Sequence, residues 1–249
     1  GGLSAVSWTD VIQVVFLVMG GLVTTYLSLD AVSGGAGMWA GFSAIYDAAP
    51  DKFAMILDKD HPEYMNLPGI GVLVGGMWVA NIYYWGFNQY IIQRTLAAKS
   101  LKESQRGILF AAGLKLILPL IVVIPGIAAY VMTQDAAVMA GLGEAALNKP
   151  PTGTHPDFAY PWLLQFLPTG LKGLAFAALA AAIVSSLASM LNSTSTIFTM
   201  DIYKPYINPG ADDRATVRMG RISATVALVI ACIMAPLLGG IDQAFQFIQ

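Results

Sequence analysis

Long apolar runs alternate with short polar stretches along the whole chain. A membrane-spanning helix needs about 20 consecutive, mostly apolar residues. Five runs reach this length, and a sixth begins close to the last residue. We predict spanning helices at about 6–29, 69–96, 107–132, 170–200 and 215–238, with a truncated sixth at 241–249. The pattern therefore predicts an all-α integral membrane protein with a single transmembrane domain, and the apolar run at its end suggests an internal piece of a longer protein.

Composition supports the membrane class. Of the 249 residues, 56% are hydrophobic and only 11% are charged, whereas a soluble domain carries about 25% charged residues. This small number of charged residues could not cover a water-facing surface. We therefore expect the protein to lie in a lipid bilayer. The net charge of −2 and the absence of a basic run give no indication of nucleic acid as a partner.

Basic residues in the connecting segments predict the orientation. Lysine and arginine are enriched on the cytoplasmic side of membrane proteins. The connections after the second and fourth helices are basic, with Arg94, Lys99, Lys102 and Arg106 in one and Lys204, Arg214, Arg218 and Arg221 in the other. The long loops 31–68 and 133–169 carry only three lysines. We therefore predict that these two loops are extracellular and that Gly1 lies inside.

Two ionisable residues fall within predicted spans, where such residues are candidates for function. Lys115 lies eight residues into the third helix, which is about 12 Å deep in a core of about 30 Å. A snorkelling lysine is the alternative, but a polar cavity that binds hydroxyls or carboxylates is favoured. Asp10 lies near the cytoplasmic start of the first helix, and its two interpretations stay open: an interfacial carboxylate or a group lining a cation exit path.

The second span reads GIGVLVGGMWVANIYYWGFNQYIIQR from Gly69 onward, with five glycines interrupting it. Small residues favour close helix packing, but interrupted spans also form discontinuous helices that bind substrate in transporters. Asn81 offers a donor and an acceptor to a solute, or alternatively a hydrogen bond to another helix. Tyr84 and Trp85 offer flat faces for a sugar ring or a lid.

The fourth span contains eight serines and threonines in the stretch IVSSLASMLNSTSTIFTMD, residues 183–201. Most are expected to support tight packing and hydrogen bonds to their own helix backbone. Ser185 and Ser186 lie near mid-span, and a freed carbonyl at Ala182 would add a third oxygen. Hard cations prefer oxygen ligands, so these three residues are a candidate cation site.

Three segments resemble one known family. They are GGLSAVSWTDVIQ at the start, NQYIIQRTLAAKSLKESQRG after the second span, and AAIVSSLASMLNSTSTIFTMDIYK in the fourth. Their order, spacing and sidedness are similar to those of the solute:sodium symporter family, and most similar to its bacterial sodium/galactose (sodium/glucose-type) cotransporters. The resemblance implies a leucine-transporter-type fold of two inverted repeats, of which this chain supplies the later part.

The resemblance also implies roles for individual residues. For the sugar site it implies Asn81, Lys115, Tyr84, Trp85 and Gln249. For the gates it implies Tyr84 and Phe245, and for sodium it implies Ala182, Ser185 and Ser186, with Asp10 on the exit path. Sodium is thus the implied coupling ion and cofactor, and N-terminal helices absent from this sequence would complete both sites.

The implied function is a multi-pass transporter of the inner (plasma) membrane that couples sodium entry to uptake of galactose or glucose. A sodium-coupled symporter of another small organic solute is the alternative. A membrane enzyme is disfavoured, because both histidines, His61 and His155, lie in the loops predicted to be extracellular. A channel is disfavoured because no re-entrant filter segment is recognisable.

Overall fold

In the computed structural model the described residues are 3–61, 64, 69–142, 150–151 and 158–238, and within them the chain is helical without strands. The α-helices are α1 Leu3–Val32, α2 Met38–Ala48, α3 Met77–Ile82, α4 Gln89–Leu96, α5 Leu101–Lys115, α6 Leu118–Gln134, α7 Ala136–Gly141, α8 Ala159–Leu163, α9 Thr169–Ile197 and α10 Asp213–Leu238. The predicted all-α class is confirmed for this part of the chain.

Four helical stretches in the described part are long and apolar enough to cross a membrane. They are Ser7–Val32, Leu101–Gln134, Thr169–Ile207 and Asp213–Leu237. They correspond to the first, third, fourth and fifth predicted spans, each with shifted ends. The truncated sixth helix at 241–249 lies outside the described residues, so the total number of spans stays a prediction.

The predicted second span, 69–96, is not one continuous helix. Helix runs from 70 to 87, and α3 is flanked there by wider π-helical segments at Val72–Gly76 and Tyr83–Phe87. Asn88 then adopts an extended backbone, and its Oδ1 accepts a hydrogen bond of 3.2 Å from the amide of Tyr90 at the start of α4. The interruption therefore lies at an asparagine cap and not at a glycine, because the asparagine side chain satisfies a donor at the helix end.

The regular α-helix of the predicted third span is interrupted as well, by one tighter turn. Helix α5 ends at Lys115, residues 116–117 form a turn, and α6 begins at Leu118. Pro119 lies in the first turn of α6, where its missing N–H costs nothing. Pro125 lies inside α6 without ending it. The regular α-helix thus ends at Lys115, and the amides of Leu116 and Ile117 bond to the carbonyls of Gly113 and Leu114 in a tighter turn. Lys115 therefore lies at a distorted turn within the helical stretch Leu101–Gln134.

By its contacts the chain divides into two compact units. The first contains Gly1–Thr9, Asp58–Ser104 and Ile183–Gln249, and the second contains Asp10–Leu57 and Gln105–Ala182. In the first unit α9 and α10 approach closely at Gly220, where an added Cβ would lie 3.1 Å from the Ser195 hydroxyl oxygen. That hydroxyl donates a 2.7 Å hydrogen bond to the Gly220 carbonyl. A small residue thus lets two helices bond directly.

The second unit has an apolar core between α1, α2, α6 and α8. Its buried members include Leu29, Ile45, Ile124, Ala128, Met132 and Trp162. Gly41 of α2 packs directly on α1, and a Cβ there would overlap the carbonyl oxygen of Leu29. Thr25 of α1 donates a 2.7 Å hydrogen bond to the carbonyl of Leu120 of α6. Backbone contact and hydrogen bonding therefore both fix α1 in this core.

Candidate functional site

The three predicted cation ligands lie on one continuous helix, α9. Ser185 is half-buried, and Ser186 is exposed. Residues three and four apart share a helix face, so Ala182 lies beside both serines. Helix α9 is a continuous α-helix from Thr169 to Ile197, so the backbone around the Ala182 carbonyl, which was predicted to be freed, is regular. The second lone pair of a helical carbonyl can still face an ion.

Most of the other hydroxyls of this stretch serve packing or backbone bonding, whereas the Ser189 hydroxyl accepts a hydrogen bond from the Arg94 side chain. Ser189, Ser193 and Thr199 are at most 5% exposed. Thr194 and Thr196 donate hydrogen bonds to the carbonyls one turn earlier, at 3.0 and 2.8 Å. The hydroxyl of Thr199 is buried without a hydrogen-bond partner in the described part of the structure. The serine pair is therefore set apart from the more deeply buried hydroxyls that follow it.

The predicted solute-binding residues of the second span lie just before the break at Asn88. The Asn81 side chain is exposed and its Nδ2 donates a 2.8 Å hydrogen bond to the Met77 carbonyl of its own helix. Tyr84 and Trp85 are half-buried in the second π-helical segment, and their rings meet edge to face with 5.3 Å between centroids. Wider helical turns are often associated with functional sites. This hydrogen bond stays within one helix. The alternative role of Asn81, a hydrogen bond to another helix, is therefore not seen among the described residues.

The remaining predicted residues belong elsewhere in the chain. Lys115 and Asp10 both lie in the second unit, Lys115 exposed at the end of α5 and Asp10 half-buried on α1. Gln249 and Phe245 lie outside the described residues. Asn81, Tyr84 and Trp85 belong to the first unit. The assembly of these residues into one solute site therefore stays a prediction.

The structure adds a polar network that the sequence interpretation missed. Arg94 of α4 donates from Nη2 to the Ser189 hydroxyl at 2.7 Å. Gln93 donates from Nε2 to the Ser189 carbonyl at 3.4 Å and accepts a 3.0 Å hydrogen bond from Asn192 Nδ2. The sequence pattern assigns Arg94 only to the basic, cytoplasmic side of the membrane and Ser189 only to helix packing. In the sequence, the network is indicated by two adjacent polar residues, Gln93 and Arg94, that follow Asn88 by five and six positions.

In the ranges described, no three histidine, cysteine, aspartate or glutamate side chains are grouped as for a metal site. The candidate cation ligands on α9 are instead neutral hydroxyl and carbonyl oxygens. Such oxygens suit hard cations.

Comparison with known proteins gives the family and its relatives. The sequence profile of the "Sodium:solute symporter family" matches residues 1–242. The "Sodium/glucose cotransporter" of Vibrio parahaemolyticus is 66% identical over all of this chain and 46% of its own length. Human "Sodium/myo-inositol cotransporter 2" is 35% identical over the whole of this chain, which covers 38% of the human protein. The "Uncharacterized symporter YidK" of Escherichia coli is 35% identical over 98% of this chain and 39% of its own length. The chain thus spans less than half the length of these relatives.

Proposed function

Because this chain belongs to the sodium:solute symporter family, we propose that it forms part of a secondary active transporter coupling sodium entry to uptake of a sugar such as galactose or glucose. The observation that carries the proposal is the 66% identity over all 249 residues to a protein named as a sodium/glucose cotransporter. At 35% identity the myo-inositol cotransporters favour a polyol as the second candidate solute. Both solutes are small, neutral and rich in hydroxyls.

Sugar recognition is proposed for Asn81, Lys115, Tyr84, Trp85 and Gln249. An amide offers donors and an acceptor, and an ammonium offers three donors, which together suit the hydroxyls of a hexose. Aromatic faces suit the apolar face of a sugar ring. Tyr84 is half-buried beside Trp85, a placement that supports its role as the inner gate. Phe245 is proposed for the outer gate.

Sodium is proposed to bind as co-substrate at Ala182, Ser185 and Ser186 on α9. Their common helix face and their neutral oxygens support this role. Residues of N-terminal helices of the same protein would complete the coordination, and Asp10 would line the path by which the ion leaves to the cytoplasm. Transporters hold such ions near the membrane midplane with carbonyl and hydroxyl oxygens.

The proposed mechanism is alternating access in a leucine-transporter-type fold within the inner (plasma) membrane. Sodium binding stabilises an outward-facing state, sugar then binds, and closure of the gates is followed by opening toward the cytoplasm. Loss of sodium weakens the sugar site, because two ligands that favour the same state strengthen each other. Loops 31–68 and 133–169 face outward in this topology.

Uptake into proteoliposomes tests the function. The protein at its natural length is reconstituted, and entry of labelled galactose is compared under an inward sodium gradient and under a matched choline gradient. We expect uptake only with sodium, and competition by unlabelled glucose. Competition by myo-inositol but not by glucose would assign the polyol. Equal uptake in choline would contradict the symport proposal.

A further inference from the structure

The polar network joins α4 to α9, and each of these helices carries or follows residues proposed for binding. Along the chain Gln93 and Arg94 follow Trp85 by eight and nine residues, across the break at Asn88. On α9, Ser189 follows Ser185 by four residues, which places it on the same face one turn later. On α4, the network therefore follows the residues proposed to bind sugar. On α9, it lies one turn after Ser185, which is proposed to bind sodium.

Hydrogen bonds from both Gln93 and Arg94 join α4 to α9. The Arg94 guanidinium donates to the Ser189 hydroxyl at 2.7 Å, which is a short, charge-assisted bond. Its Nη1 donates to the Tyr90 carbonyl at 3.2 Å, as does Nε2 of Gln93. Arg94 is therefore anchored both to the first turn of α4 and to α9. A movement of one helix must carry the other along or break these bonds.

Burial makes breaking the network costly. Ser189 is 1% exposed and Gln93 is 7% exposed. A buried donor or acceptor left without a partner loses the full free energy of its hydration. Asn192 supplies a further bond of 3.0 Å to Gln93. The network therefore favours the paired arrangement strongly.

From these placements we infer that Gln93, Arg94 and Ser189 form a positioning clamp that transmits sodium occupancy on α9 to the sugar-binding segment before Asn88. The clamp touches neither ligand. It fixes the first turn of α4, and through it the break at Asn88, relative to the face of α9 that carries Ser185. The inference rests on the proposed function, because it concerns coupling between the proposed sodium and sugar sites.

A double-mutant cycle on two of the three clamp residues, Arg94 and Ser189, tests the inference. Binding of labelled galactose to the purified protein at its natural length is measured with and without sodium for wild type, Arg94→Gln, Ser189→Ala and the double variant. Coupling between two ligands is typically 5- to 150-fold in affinity. We expect each single variant to reduce the sodium-induced increase in affinity to about 2-fold or less, with little further change in the double variant. Affinity without sodium should stay within about 2-fold of wild type.

Ser195→Ala is the matched control. It removes a serine hydroxyl from the same helix and an equally short bond, 2.7 Å, to a different helix, α10. A merely structural role would reduce stability alike in Ser189→Ala and Ser195→Ala and would leave the sodium effect intact in both. Arg94→Lys should restore only part of the effect, since lysine keeps the charge but lacks the guanidinium fork.

The outcomes separate this inference from the proposed function. If wild type shows no sodium effect on galactose binding, the proposed function fails. If wild type shows the effect and Arg94→Gln and Ser189→Ala retain it in full, the clamp is overturned while the proposed function stands. Equal loss in Ser195→Ala would also overturn the clamp.

Discussion

At the scale of single residues, the hydroxyls of α9 divide into groups with different surroundings. Ser186 is exposed and Ser185 is half-buried, whereas Ser189 and Ser193 are buried. An exposed hydroxyl on a spanning helix is available to an ion and to residues from other parts of the protein. A buried one is committed to packing or, as with Ser189, to a bond with another helix.

Ser186→Ala is expected to weaken sodium coupling more than folding. Loss of one oxygen ligand to a charged species corresponds to about 1.5–3 kcal/mol, so the sodium concentration for half-maximal uptake should rise about 10-fold or more. Sodium titration of galactose uptake measures this change. Thr196→Ala, an exposed hydroxyl that bonds only to its own helix at 2.8 Å, is the control. An unchanged sodium dependence in Ser186→Ala would remove this serine from the site.

Lys115→Ala is expected to abolish sugar transport while leaving the protein inserted. The lysine is exposed at the end of α5, so its loss creates no cavity, while the solute loses a charged donor. Uptake and the amount of protein in the membrane are measured together. Lys102→Ala, an exposed lysine in the first turn of the same helix, should transport normally. Normal uptake by Lys115→Ala would exclude the lysine from the sugar site.

At the scale of elements, both interrupted spans carry predicted sugar-binding residues next to the interruption. Tyr84 and Trp85 precede the break at Asn88, and Lys115 precedes the turn at 116–117. Irregular backbone is tolerated in membranes where it lines a cavity. This coincidence supports the assignment of those residues to a cavity.

Close packing of α2 on α1 predicts a strong effect of Gly41→Ala. The new Cβ would overlap backbone atoms of Leu29, which cannot move without displacing α1. We expect destabilisation by about 1–3 kcal/mol or more, seen as a lower apparent melting temperature in detergent. Gly126→Ala on α6, where an added Cβ meets nothing within 4 Å, should be neutral or slightly stabilising. Similar melting of the two variants would contradict the packing described for α2.

At the scale of the whole molecule, the proposed coupled entry of sodium with a neutral sugar would move net positive charge inward. Each elementary charge crossing 100 mV contributes about 2.3 kcal/mol, which corresponds to about a 50-fold change in the accumulation ratio. An inside-negative potential imposed on proteoliposomes should therefore increase sodium-driven galactose accumulation. Insensitivity to the imposed potential would argue against net transfer of sodium charge.

The sequence by itself determined the membrane class, the approximate positions of four spans and the family. The class and the spans follow from local patterns, because a bilayer forces each spanning segment to bond its own backbone and to present apolar side chains over about 20 residues. The family follows instead from the resemblance of three sequence segments. The same patterns could not locate the breaks. Four of the five glycines of the second span, Gly71, Gly75, Gly76 and Gly86, lie in helix, and Asn88 ends that helix instead.

Only the tertiary structure decided which polar residues meet. The side chain of Trp162 is 1% exposed and packs in the core of the second unit. Arg94 and Ser189 are 95 residues apart in the chain and 2.7 Å apart in space. Periodicity reports only neighbours within a few turns of one helix, whereas such a bond depends on how two helices pack. For that reason the candidate ligands on α9 were predictable from the sequence, and the clamp beside them was not.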